Sequence, residues 1–543
     1  MHGDRGLAPP HGGKLVDLVV DEARAAELMA MADRWPSWAL TERQRCDLGL
    51  LAGGAFSPLT GFLGRADHAS VCERMRLSDG TLWPIPVTLD VDDRTRDAAL
   101  VWGHLALRDD EGRLLAVLGV HEAWRVDPRV EAEAVFGRCD PAHPSVAHLL
   151  YRSNRWYLAG RLEVLPAART LDGAGPRFTP AGLRAHFDRL GITRVVAFNT
   201  RNPMHRAHQE LTLRAARETG AHLLIHPVVG PTKPGDVDVA TRVACYESLL
   251  PTYRSGQATL ALLPLAMRMG GPREALWHAI IRQNFGATHM IVGRDHAGPG
   301  QDSLGRPFYD PYAAQELVRR HQDELAVSMV SFPQLGYVED SDSYEPVDQV
   351  PPGTQVTVIS GTEVRRRLAR GQALPSWFTP PAVASVLRRR YPPLHERGVT
   401  VVLVGEPGAE TTATAGELAC RLQSLGRRVR RIGDEDCRPE QATQTPAPVA
   451  ELAGLTARAV ESTRAGDIAL CTVHTADAPA LERMRIEVEA WGGFFLVPVA
   501  PAGTAGRSGS PGSSGSAGAR VEALLGQLRA HGFLTGQEDQ VSA

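Results

Sequence analysis

The sequence predicts a multidomain α/β protein, and three observations carry that reading. From about residue 178 onward, short apolar runs alternate with amphipathic stretches, which is the pattern of a parallel sheet with helices on both faces. Before residue 170, strand-like runs separated by turn sequences predict mostly β structure with helical insertions. At 543 residues the chain exceeds what one hydrophobic core organises, so three domains are expected. Their predicted limits are 1–170, 171–395 and 396–543. L-D-G-A-G-P-R over 171–177 reads as a boundary loop, and Pro375, Pro380, Pro381, Pro392 and Pro393 mark a second joint.

In the first domain, Leu15–Val20, Trp83–Val91 and Leu114–Val120 have the apolar, β-favouring character of strands. Ser57-Pro58-Leu59-Thr60-Gly61 and Ser78-Asp79-Gly80 have the chemistry of turns. In the second, strands are expected at Thr193–Asn199, Leu223–Val229, Thr259–Leu265 and His289–Val292, with amphipathic helices at Arg273–Phe285 and Tyr312–Glu324. Val401–Val404 opens a further strand–loop–helix unit. Residues 502–517 are nearly all Gly, Ser, Ala and Pro and read as a flexible loop, and 518–533 reads as a last amphipathic helix.

Apolar content of 43% and charge of 22% are those of an ordinary globular protein, and a net charge of −3 gives no global attraction to nucleic acid or membrane. Any anion site must therefore be local. The seven cysteines (Cys46, Cys72, Cys139, Cys245, Cys420, Cys437 and Cys471) are scattered and contain no C-x-x-C pair, which argues for a reducing compartment and against structural zinc. The first residues lack the apolar stretch of a signal peptide, and no run is long enough to span a bilayer, so a cytoplasmic protein is expected.

The most informative stretch is 195–214, V-V-A-F-N-T-R-N-P-M-H-R-A-H-Q-E-L-T-L-R. An apolar strand enters a polar turn and then a helix. Asn202 suits an N-cap and Pro203 a first helical position, so the helix is predicted to start there with its N–H groups and positive dipole end toward an anion. His205 and His208 are spaced to share one side of that helix, with Arg201 at its mouth. Nothing here resembles a covalent nucleophile; the groups are donors and cations.

Four other segments qualify for the same site. Residues 226–236 end a strand in a turn carrying Lys233, and 267–273 set Arg268 and Arg273 beside glycines. Gly293-Arg294-Asp295-His296-Ala297-Gly298-Pro299-Gly300 is another strand end with glycines that let backbone N–H groups approach a ligand. Ile359-Ser360-Gly361-Thr362-Glu363-Val364-Arg365 has a Ser/Thr cap ahead of a basic helix. Arg201, Lys233, Arg268, Arg294, His205, His208 and His296 are thus expected on loops of one sheet, around a strongly anionic substrate.

These segments together resemble ATP sulfurylases (sulfate adenylyltransferases). Residues 199–208 are similar to that family's Q-T-R-N-P-x-H-x-x-H motif, with Asn199 where the glutamine usually stands. G-R-D-H-A-G-P-G over 293–300 and I-S-G-T-x-x-R over 359–365 are similar to its later signatures. P-H-G-G-K-L-V-D-L (10–18), F-S-P-L-T-G-F (56–62) and W-P-I-P-V-T-L-D (83–90) resemble its N-terminal domain. The resemblance implies a PUA-like, mostly β first domain and a Rossmann-like nucleotidyltransferase domain over 171–395. It implies that sulfate attacks the α-phosphorus of ATP, yielding adenylylsulfate and pyrophosphate.

By the same resemblance Asn199, Arg201 and the Ala297 backbone contact sulfate, and Thr200, Arg201 and Asn202 line the reacting centre. His205 and His208 bind the β,γ-phosphates, while Gly293, Arg294, Asp295 and His296 hold the nucleotide. Mg²⁺ is expected to travel with ATP rather than sit in a protein cage, and the chain is expected to form a homo-oligomer. The competing readings are a bifunctional enzyme that also phosphorylates adenylylsulfate, and a non-catalytic nucleotide sensor.

The third domain resembles adenylylsulfate kinases, with a P-loop frame at 401–412. G-x-x-x-x-G-K-[ST] is broken there: Gly405, Gly408 and Thr412 fit, but Glu410 takes the second glycine's place and Thr411 the lysine's. The lysine is the charge that meets the β,γ-phosphates, and a carboxylate beside that position repels them. The family's D-G-D reads Ile432-Gly433-Asp434 here. A kinase-like fold that has lost its reaction is expected, serving as an oligomerisation scaffold or a nucleotide-binding regulatory domain.

Overall fold

The first sheet has five strands in the order Ser37–Ala39, His104–Arg108, Leu114–Arg125, Trp156–Val164, Leu89–Val91. Three of its four pairings are antiparallel, and the long central pair, Leu114–Arg125 with Trp156–Val164, carries a register shift between Val120 and Glu122. A computed structural model describes residues 6–169, 178–233, 236–404, 409–433, 448–473, 478–490, 494–496 and 517–534. The chain divides into two compact units, Met1–Val358 with Pro375–Val386, and Ile359–Leu374 with Leu387–Ala543. The expected boundary loop 171–177 and residues 502–516 lie outside the described residues.

Two expected strands of the first domain are shorter than their composition suggests. Leu15–Val20 makes only an isolated bridge at Val19. Its donors are drawn elsewhere: Val16 N–H to Ser57 Oγ and Leu18 N–H to the Ala52 carbonyl. Of Trp83–Val91 only Leu89–Val91 pairs, because Pro84 and Pro86 lack the N–H groups a ladder needs.

The second sheet is wholly parallel, in the order Ser328–Ser331, His289–Val292, Val195–Phe198, His222–Ile225, Ala258–Leu260. All four strands expected from the sequence are present, but Leu223–Val229 ends at Ile225 and Thr259–Leu265 at Leu260, with only an isolated Val228–Leu263 bridge beyond. The order reverses between Val195–Phe198 and His289–Val292, and in open parallel sheets the loops leaving such a switch point diverge to form a crevice. The helix Gly271–Asn284 is almost entirely buried. It carries Trp277, Ile280 and Ile281 into the shared core, where Trp277 meets Phe56 and Trp83 of the first domain.

Polar ties reinforce that packing. Asn284 Nδ2 donates to the carbonyls of Ala55 and Ser57, and its Oδ1 accepts from His11 N–H. Arg184 donates to the carbonyls of Ala8, Gln283 and Asn284. First and second domains are therefore held as one body by buried hydrogen bonds as well as apolar area.

In the second unit, parallel strands run Val429–Gly433, Ile468–Val473, Val399–Val404, Phe494–Leu496, with the helix Ala409–Ser424 after the third of them. The expected last helix spans Ala517–Ala530 and buries Val521, Leu525 and Leu528. Gly405, Gly408 and Asp434 lie outside the described residues; Thr411 and Thr412 fall in the first turn of the helix. Among the described residues no helix is long and apolar enough to cross a membrane.

Candidate functional site

A cleft of about 360 Å³ opens at the switch point. One wall is the turn Asn199-Thr200-Arg201-Asn202 leaving the strand Val195–Phe198; the other is Gly293-Arg294-Asp295-His296-Ala297 leaving His289–Val292. Ala207 and His208 close one side, and Phe332-Pro333-Gln334-Leu335 close another. The 332–335 wall was not singled out from the sequence. The strand-end rule could have found it, since Ser328–Ser331 lies beside His289–Val292 in the same sheet.

The helix behind the first turn begins later than the sequence suggests. His205 is its N-cap and Arg206 its first residue, so Asn202 and Pro203 are not the cap and first position. Tertiary contacts override the local preference. The Asn202 carbonyl accepts from Tyr246 OH and Thr200 Oγ1, Pro203 and Met204 are buried, and Arg206 N–H donates to the Phe378 carbonyl. The Thr200–Asn202 turn is thereby fixed as irregular backbone ahead of the helix. Arg242, buried on Val239–Leu249, braces it by donating to the carbonyls of Arg201 and Val228.

His205 and His208 separate in role. The His205 ring does not line the cleft; it stacks on Phe378 with centroids 4.4 Å apart and meets Thr379 Oγ1 at 3.0 Å. His208 does line it. Its Nδ1 accepts the His205 backbone N–H at 3.1 Å, which leaves the proton on Nε2. Burial pushes His208 down to about 4 and, with His208 nearby, His205 to about 3, so both are neutral at pH 7.

Arg201 Nε donates to Asp236 Oδ2 at 3.1 Å, which orients its guanidinium at the cleft wall with the side chain 16% exposed. Arg294 is exposed at the other wall. Desolvation raises the Asp295 carboxyl, and the charges of Arg201, Arg294 and Lys233 pull it back, which places Lys233 within electrostatic reach of the site. Asp295 and Ala297 both adopt left-handed backbone, at φ 52° and 54°. Such conformations in non-glycine residues cost energy and persist where the surroundings impose them. A Cβ at Gly298 would come within 2.1 Å of Asp295 Oδ1, so a larger residue there would displace the Asp295 carboxyl.

Arg268 and Arg273 are corrections to the expected cluster. Arg268 is 1% exposed and paired with Asp47 of the first domain, while Arg273 donates to the carbonyls of Val71, Cys72 and Pro84. Both bind the two domains together and neither lines the cleft. Residues 359–365 fall in the second unit. There the Ser360 cap on Glu363 N–H is formed and opens the helix Gly361–Ala369 of the second unit.

Behind the cleft lies a buried polar layer that no local motif singles out. Glu274 accepts from the N–H groups of Arg268 and Gly270, at 2.9 Å each, and its Oε1 lies 3.4 Å from His278 Nε2. His278 Nδ1 in turn meets both Asn199 Nδ2 and His296 Nε2. Arg282 reaches Asn199 Oδ1 and the His226 carbonyl. Burial, with Arg282 and Arg201 close by, holds His278 and His296 below the ordinary histidine value, and burial holds Arg282 down at about 9, still charged at pH 7.

These neutral histidines make stability depend on pH. His143, pushed down to about 4 by burial, behaves like His205 and His208. Below pH 6.5 the unfolded chain takes up protons that the native histidines refuse, so stability falls as pH drops from about 6.5 toward 4. Each such group contributes at most ~1.4 kcal/mol per pH unit. The fall flattens near pH 3, where the native rings also charge. Urea unfolding from pH 7.5 to 4 should show the midpoint decreasing through that window; a flat midpoint would show that these rings are not held neutral by the fold.

Among the described residues no group of three or more His, Cys, Asp and Glu side chains is placed to hold a metal ion. Donors, fixed cations and a strained turn converge on the cleft instead, as binding and charge stabilisation of a polyanion require.

Comparison with known proteins agrees with this geometry. Residues 175–390 match the ATP-sulfurylase family model and residues 8–167 that of the PUA-like domain. A sulfate adenylyltransferase of Phaeosphaeria nodorum is 47% identical over 501 residues, covering 91% of this chain and 87% of the relative. One from Mycosarcoma maydis is 51% identical over 423 residues, covering 77% and 74%. A solved structure, a hexameric APS kinase from Thiobacillus denitrificans, superposes with TM-score 0.77 at 30% identity and covers 98% of this chain and all of that one. With two domain models and relatives of this length in agreement, the chain belongs to the sulfate adenylyltransferase family.

Proposed function

We propose that the switch-point cleft joins sulfate to the α-phosphorus of ATP, giving adenosine 5′-phosphosulfate and pyrophosphate. A sulfate oxygen forms the new bond to phosphorus as the bond to the β-phosphate bridging oxygen breaks. Sulfate is already fully ionised, so no base is needed and it serves as the nucleophile itself. The single observation that carries this reading is the convergence of Asn199–Asn202 and Gly293–Ala297 on one cleft.

The main barrier is electrostatic. Two unit negative charges ~4 Å apart repel by about 4 kcal/mol at the effective dielectric of a protein surface. Arg201 is suited to offset this, because Asp236 holds its plane while its remaining N–H groups can grip an oxyanion in a fork. We assign sulfate contacts to Asn199, Arg201 and the Ala297 backbone, and the reacting centre to Thr200, Arg201 and Asn202. Gly293, Arg294, Asp295 and His296 hold the nucleotide. His208 donates Nε2–H to the β,γ-phosphates, and His205 supports it from the stacked position on Phe378. Mg²⁺ enters bound to ATP and neutralises its phosphates. We place this activity in a cytoplasmic homo-oligomer with domains at 1–170, 171–395 and 396–543.

Pyrophosphate release that depends on added sulfate tests the reading; ATP-dependent binding with no sulfate-dependent release would favour a sensor instead. His208→Ala should lower kcat by about 100-fold or more, since it removes a donor that strengthens as pyrophosphate departs, with only a small drop in melting temperature from the lost His205 N–H acceptor. Equal kcat in the variant would remove the phosphate assignment.

For the last domain we propose that kinase chemistry is lost. Glu410 and Thr411 replace the glycine and lysine of the phosphate loop. Purified protein incubated with adenylylsulfate and ATP should form no 3′-phosphorylated product. Its formation would reinstate the bifunctional reading.

A further inference from the structure

We infer that Arg282 and His278, neither of which lines the cleft, fix the hydrogen-bond polarity of the two residues that do, Asn199 and His296. The inference rests on the cleft being the sulfate and nucleotide site.

The argument begins at the one group whose role admits no choice. A guanidinium only donates, so Arg282 Nη2 must meet the oxygen of the Asn199 amide. The Asn199 nitrogen then faces His278 Nδ1 at 3.2 Å, and an amide nitrogen also only donates. His278 Nδ1 therefore carries no proton, and its proton is on Nε2, beside Glu274 Oε1. Glu274 is itself fixed by the N–H groups of Arg268 and Gly270.

The 3.0 Å approach of His296 Nε2 to the same His278 Nδ1 is a hydrogen bond only if His296 is the donor. His296 is then the Nε2–H tautomer with a bare Nδ1. His278 Nδ1 serves as a shared acceptor for both cleft walls. Reversing any one member sets like against like: a flipped Asn199 amide would place its nitrogen against Arg282, and a bare His296 Nε2 would face the bare His278 Nδ1.

The relay has two consequences at the cleft. One Asn199 N–H is engaged by His278, and the second is left as a donor for an oxyanion. His296 offers the nucleotide an acceptor rather than a positive charge, suited to a hydroxyl or amino group and not to a phosphate. Arg282 and His278 are positioning residues that act through Asn199 and His296.

The experiment compares full-length wild type with His278→Leu, His278→Asn and Arg282→Met. Asparagine places an amide oxygen near the former Nδ1, whereas leucine supplies bulk without an acceptor. His278→Leu and Arg282→Met should raise KM for sulfate about tenfold or more. ATP affinity measured calorimetrically without sulfate should change less, and His278→Asn should recover most of the sulfate affinity. Equal sulfate KM values for the leucine and asparagine variants, or no change in either, would overturn the relay. Should Arg282→Met not fold, the two His278 variants still decide.

A second readout is independent of turnover. Nitrogen-15 NMR of histidine-labelled protein should find His278 and His296 both as Nε2–H tautomers, and an Nδ1–H form at either would refute the relay. Wild type that releases no pyrophosphate with sulfate would instead remove the functional reading, leaving the tautomer measurement to judge the relay.

Discussion

Arg201→Ala should lower kcat for sulfate-dependent pyrophosphate release by about 10²–10³-fold, the usual loss when a preorganised charge-stabilising donor is removed. Arg201 is the one residue assigned both to sulfate and to the reacting centre, and its ion pair with Asp236 sets its guanidinium plane before substrate arrives. Removing it leaves two anions adjacent with less opposing charge. The loss should appear in kcat as well as in KM for sulfate. Arg201→Lys should recover only part of it, because an ammonium cannot reproduce a planar fork. The melting temperature should change little, since the backbone turn is held by Arg242 and Tyr246 rather than by this side chain. A variant with wild-type kcat would place the transition state elsewhere.

The largest effect on stability is expected from Asp47→Ala. Asp47 and Arg268 are 2% and 1% exposed and paired at 2.5 Å, with Arg268 also lying 5.4 Å over the Trp277 ring. Removing the carboxylate leaves a guanidinium buried without its counter-charge, with Arg43 nearby. Breaking such a pair costs about 3–5 kcal/mol. Thermal unfolding of the first unit should shift down by roughly 5–15 °C. The paired replacement Asp47→Leu with Arg268→Met should regain much of that loss, because desolvation of both charges is then avoided. Similar losses in the single and double variants would mean that packing, not charge, sets the cost.

The sequence alone settled the features written in local chemistry. The parallel strands Val195–Phe198 and His289–Val292 were legible as apolar runs, and the turns after them as clusters of donors, cations and glycine. The strand-end position of those turns followed from the βαβ pattern. The broken phosphate loop at 405–412 could be read residue by residue. These conclusions needed only neighbours in the chain.

Tertiary structure decided which of the cations belong to the site. Arg201, Arg268 and Arg294 look alike in sequence, each beside small or turn-forming residues. Folding sends Arg268 into the interface with Asp47 and leaves the other two at the cleft. The helix start moved from Pro203 to Arg206 for a similar reason: Tyr246 and Phe378, distant in sequence, take the carbonyl and N–H that local preference assigned to a cap. Glu274, His278 and Arg282 sat unnoticed in an apparently amphipathic helix. Their meaning arises only when packing buries every side of that helix, because a buried polar group must find partners and those partners were residues of the cleft.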